Sequence, residues 1–142
     1  MTKTELSNQI ANAVMYFAEK PKRRNKKERG VCMENLCFYS GKTTGKQTKG
    51  CIAGYFLKPQ QRINIDTRFT DGIDIESLVD LYDFDLPKII TDNVKLFSYL
   101  QGLHDNKTNW EKVGLSKEGK EYLLLIINKF KLVKKPFLCL LK

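Results

Sequence analysis

Residues 37–57 read CFYSGKTTGKQTKGCIAGYFL. Apolar arms at 37–39 and 51–57 flank a loop of Gly, Ser, Thr and Lys, and each arm carries a cysteine. The pattern predicts two antiparallel strands, residues 36–39 and 52–57, joined by a long hairpin loop. Gly41, Gly45 and Gly50 permit positive φ, and Lys42, Lys46 and Lys49 put charge into the loop. The fragment GKTTGK is not a nucleotide-binding P-loop. That motif needs Ser or Thr after the lysine, and Lys46 precedes Gln47. A glycine- and lysine-lined anion nest fits the residues better.

On the N-terminal side, residues 2–18 read as an amphipathic helix. Thr2 and Glu5 have capping-box spacing, and Leu6, Ile10, Ala13, Val14 and Phe17 form one apolar stripe. Pro21 stops it. Residues 21–30, PKRRNKKERG, carry six basic side chains against the single acid Glu28 and form a basic loop or arm.

On the C-terminal side, residues 58–72 look irregular, with a short strand at 63–65. Asp74 is placed to cap a short helix bearing Ile75, Leu78, Val79 and Tyr82. Asn93 is placed to cap a helix over 94–103, which ends in QGLHDN, and Trp110 should fold back into the core. A last long helix runs from Ser116 to about Leu132; its centre, YLLLIIN, predicts the most buried element. PFLCLL, residues 136–141, reads as a final strand that pairs with the hairpin. The predicted class is therefore α+β. A small antiparallel β-sheet, hairpin 37–57 plus the C-terminal strand, packs against three to four α-helices in one domain, 1–142.

Composition bounds the function. The chain of 142 residues is 42% hydrophobic and 11% aromatic, enough for a packed core without staples. No apolar run is long enough for a membrane span, and MTKTELSNQI has no signal-peptide pattern, so a cytoplasmic setting is expected. In that setting Cys32, Cys37, Cys51 and Cys139 are expected as free thiols or ligands. The net charge is +9, but residues 66–92 carry −6 and the remainder +15. A chain divided this way attracts anions on one face and repels them on the other. The acids of that window lack the DxDxDG order of a calcium loop.

Three chemistries follow. The first is non-catalytic binding of an anionic partner. Arg23, Arg24, Lys42, Lys46 and Lys49 supply charge, and Tyr39 or Tyr55 stacks on a base. The partner is a nucleotide signal, a nucleic acid or an acidic protein. The alternative is a cysteine-dependent hydrolase or transferase, with Cys51 as nucleophile, His104 as base and Asp105 as orienter. Neighbouring His104 and Asp105 side chains usually diverge, which weighs against it. A further alternative is a zinc-stabilised interaction module built from Cys32, Cys37, Cys51 and either His104 or Cys139. Its CxxxxC spacing is wide for zinc, and otherwise no cofactor is expected.

Two blocks of sequence resemble a group of small uncharacterised proteins of bacteriophages and mobile elements. One is Cys37-Phe38-Tyr39 followed by Cys51-Ile52-Ala53-Gly54; the other is Leu100-Gln101-Gly102-Leu103-His104-Asp105 with Trp110. The loop here is longer than that pattern. The group has no assigned activity, so the resemblance implies a setting: a phage accessory protein, acting against host defence inside an infected bacterium.

Overall fold

A reciprocal cap opens the fold. The Thr2 N–H donates to Glu5 Oε2 at 2.9 Å and the Glu5 N–H to Thr2 Oγ1 at 3.1 Å. Two of the amides left over at a helix start are thereby satisfied, and α1 (Lys3–Glu19) follows. The structure, a computed structural model, describes residues 1–19, 39, 42–43, 46–47 and 50–142. The predicted basic arm, 21–30, lies outside the described residues. The only strands described are β1 (Lys42–Thr43) and β2 (Lys46–Gln47), an antiparallel pair in register Lys42 to Gln47 and Thr43 to Lys46. Apart from an isolated antiparallel bridge between Trp110 and Leu115, the described residues after them are helical or irregular: α2 (Ile52–Tyr55), α3 (Pro59–Arg68), α4 (Ile75–Leu81), α5 (Lys88–Thr91), α6 (Val94–Asp105), α7 (Lys117–Lys129) and α8 (Leu138–Leu141).

The α+β expectation is therefore wrong; the described residues are mostly helical. Three misreadings account for it. Residues 51–57 were too short and too apolar for periodicity to separate strand from buried helix. Gly50 adopts φ 65, and Cys51 is an extended N-cap whose Sγ accepts from the Gly54 N–H, so the chain enters α2 there. At 58–72, Pro59 sits in the first helical turn, where its fixed φ and missing N–H cost nothing. Ile65 is buried beside Arg62 and Asp66 on that helix, so the short strand at 63–65 does not exist. PFLCLL buries Phe137 and Leu140, three apart, and leaves Leu138 and Cys139 exposed. That period belongs to a helix, and a 3-10 turn, Lys135–Phe137, leads into α8.

Helix α6 is the hub. It packs against α2, α4, α5 and α7 and buries Leu96, Phe97, Leu100 and Leu103. Asp74 caps α4 as expected, accepting from the Ser77 N–H at 3.0 Å. Lys95 Nζ donates to Glu76 Oε2 at 3.1 Å, joining α4 to α6 and holding the Glu76 carboxyl below its ordinary range. Asn93 precedes α6 without capping it; its amide instead donates to Ile89 O. Helix α7 is less enclosed than its apolar centre suggests, because Leu125 is 50% exposed.

The α6–α7 connection is locked by side chains. Asn109 Nδ2 and Trp110 Nε1 both donate to Leu103 O, each at 3.1 Å, and Trp110 Nε1 also reaches His104 O. Ser116 caps α7 by accepting from the Gly119 N–H at 3.1 Å, while its hydroxyl donates to Thr108 O. A Cβ on Gly119 would lie 1.9 Å from Asn109 O, a backbone atom that cannot swing aside. Alanine is the better helix former by about 1 kcal/mol, but here the clash decides the sign. Gly119→Ala should destabilise by about 3 kcal/mol or more in denaturant unfolding. Ser116→Ala should cost only about 1 kcal/mol. A stabilised Gly119→Ala would refute the close packing of α7 on Asn109.

Candidate anion-binding surface

Only some of the residues singled out from sequence lie among the described residues. Arg23, Arg24 and Lys49 lie outside the described residues, as do Cys32 and Cys37. Lys42 and Lys46 are placed by backbone only, in β1 and β2. Tyr39 is fully buried and so cannot stack on a base. Its N–H donates to Asp66 Oδ1 at 2.8 Å, and its hydroxyl donates to Ile73 O at 3.1 Å. Burial pushes its phenol well above the ordinary value, with the Gln101 side chain pulling the other way. Tyr55 is half-buried, with its ring 5.4 Å from Tyr16 and 5.2 Å from Phe56.

The catalytic candidates lie in the same packed interior. Cys51 is fully buried and disulfide-bonded. The expectation of a free thiol fails there, while Cys139 is free and exposed. A sulfur held in a disulfide offers no thiolate for attack. His104 is fully buried in the last turn of α6, edge-on to Phe17 at 4.7 Å and 6.3 Å from Trp110. Asp105 follows it, half-buried. Among the described residues, no group of three or more Cys, His, Asp or Glu could hold a metal ion. None of the helices searched there is long and apolar enough to cross a membrane.

What the structure builds on its surface is a lysine-rich end that the sequence reading missed. Residues 122–142 contain five lysines and no acid. Lys129, Lys131, Lys134, Lys135 and Lys142 are all exposed. Lys3 joins them from α1, its Nζ donating to Phe130 O at 2.9 Å. A cation is favoured there by the negative end of the α7 dipole. Lys129 Nζ sits 5.3 Å from the Tyr99 ring centre. Lys131, Lys134 and Lys135 make no ion pair among the described residues. The available signal was the i, i+4 spacing of Lys134, Leu138 and Lys142, which the strand reading of PFLCLL concealed.

The geometry at Lys131 is unusual. Helix α7 ends in a Schellman motif, with Leu132 N–H donating to Ile127 O at 2.9 Å and Lys131 N–H to Asn128 O at 3.3 Å. The residue at its turn must be left-handed, and Lys131 has φ 53. Glycine is the usual occupant, since a Cβ costs about 1 kcal/mol there. Buried Arg62 is a second residue the sequence reading did not single out. Its Nη1 donates to Gly54 O and Leu57 O, closing the end of α2, and burial lowers its pKa.

No family model, curated protein or solved structure matches this chain. The chemistry of the cysteines is open to direct test. Iodoacetamide applied to the native protein without reductant should modify Cys139 and leave Cys51 unmodified in peptide mass mapping. After reduction and unfolding, both should react. Reduction alone should lower stability by about 2–4 kcal/mol. Labelling of Cys51 before reduction would remove the disulfide from the account.

Proposed function

We propose that this protein binds an anionic partner without catalysis. The observation that carries the reading is the uncompensated lysine end of α7 and α8, where Lys131, Lys134 and Lys135 project without ion pairs among the described residues. The partner class is a nucleotide signal, a nucleic acid or an acidic protein, since phosphates and carboxylates meet lysine through the same Coulomb attraction. The left-handed Lys131 supports a functional use of the charge, because a purely structural turn would be better served by glycine. The disulfide on Cys51 and the enclosure of His104 favour binding over cysteine chemistry. On the resemblance of its two motif blocks, the setting we assign is that of a phage accessory protein; the Cys51 disulfide weighs against a reducing cytoplasm as its place of action. The basic arm, 21–30, and Lys42, Lys46 and Lys49 belong to the same reading through their charge.

Lys131→Gly separates stability from binding. It should stabilise the fold by about 1 kcal/mol by relieving the left-handed strain, yet weaken retention on heparin and binding of a labelled oligonucleotide. Lys134→Glu combined with Lys135→Glu should weaken both anions further, with a shallower salt dependence. Unchanged heparin retention and oligonucleotide affinity in these variants would reject the lysine end as the binding surface.

A further inference from the structure

The lysine end has a counterpart of opposite sign on the same molecule. Asp80, Leu81, Asp83 and Asp85 are exposed, and Leu81, a large apolar side chain, is 71% exposed. Residues 82–86 are not helical, and their side chains alternate: Tyr82, Phe84 and Leu86 turn partly inward while Asp83 and Asp85 face solvent. The segment is held by neighbouring side chains. The Arg68 guanidinium sits 4.9 Å from the Tyr82 ring centre, 5.5 Å from Phe69 and 5.6 Å from Phe84. Gln61 Nε2 donates to Asp85 O at 2.8 Å. The acidic strip is therefore held in place rather than left to order on contact.

The helical stretch 134–142 repeats this arrangement with the charge reversed. Lys134, Lys135 and Lys142 are exposed on either side in sequence of Leu138, which is 48% exposed, while Phe137 and Leu140 anchor the stretch in the core. Lys120 Nζ, donating to Lys142 O at 2.6 Å, ties its end to α7. None of the six charged residues of the two strips makes an ion pair among the described residues. Each strip thus holds, within nine residues of sequence, one exposed leucine and three exposed like charges, and the two are complementary in sign.

We infer that the acidic strip of one copy docks on the lysine strip of a second copy of this chain, leucine against leucine with carboxylates facing ammonium groups. The inference rests on the lysine surface proposed above, but not on the identity of its anionic partner. The contact joins two different patches, so it is heterologous rather than self-complementary. Its few residues place it at the weak, transient end of protein interfaces. A free anion and the second copy compete for the same lysines, so anion binding and self-association are antagonistic.

Sedimentation analysis of the whole chain tests this. In about 0.01 M salt, where the Debye length is about 30 Å, the weight-average mass should rise with protein concentration. In about 1 M salt, with a Debye length of about 3 Å, it should return to the monomer value. Lys134→Glu with Lys135→Glu, and separately Asp83→Lys with Asp85→Lys, should each abolish the rise, and mixing the two variants should restore it. The aspartate variant should keep full heparin retention, which separates failure of this contact from failure of anion binding. A monomeric mass at every concentration in low salt would overturn the inference. So would self-association that survives either charge reversal, or mixed variants that stay monomeric.

Discussion

The carbonyl of Leu103 is the point on which the rest of the structure depends. It is among the last carbonyls of α6 and lacks a partner within the helix. Asn109 and Trp110 both donate to it, folding the chain back on itself within a few residues. The Ser116 N–H then reaches Asn109 O at 2.9 Å, and Gly119 lets α7 come down on that same backbone. Satisfying one buried helix end thus sets the direction of α7, and with it the position of the lysine end. The Gly114 N–H, donating to Ala18 O at 2.8 Å, ties the same connection to the end of α1.

An aromatic chain runs through the interior from this point. Trp110 meets His104, His104 meets Phe17, Phe17 meets Tyr16, Tyr16 meets Tyr55, Tyr55 meets Phe56 and Phe56 meets Phe97, with centroid spacings from 4.7 to 6.3 Å. Edge-on contacts of this kind add about 0.5–1.5 kcal/mol beyond burial. His104 and Tyr55 occupy places in that chain, so their aromatic character is used for packing. The same packing encloses the residues that looked chemical in sequence and leaves the long, flexible lysines outside, where ammonium hydration is retained.

The two charged strips differ in how they are supported. The acidic one is extended, with half-buried rings against the exposed Arg68 guanidinium; the basic one is helical, with Phe137 and Leu140 turned inward. Both expose charge because alternate positions are occupied by anchors, at period two in one and period three to four in the other. The asymmetry of charge along the chain becomes an asymmetry of surface through these anchors.

Local features were legible in the sequence wherever a side chain acts on its own backbone. The Thr2–Glu5 box, the Asp74 cap and the stripe of α1 needed only residues within one or two turns, whereas Asn93, expected to cap α6, does not. The net charge and its division were legible for the same reason, since counting charges requires no fold. Short apolar runs were not. PFLCLL and residues 51–57 are compatible with strand or helix, and only the surfaces they pack against chose the helical period. The burial of Tyr39 and His104, the clearance at Gly119 and the exposure of Leu81 and Leu138 belong wholly to the tertiary structure. Each depends on what a distant segment places opposite it, and a linear sequence does not record that.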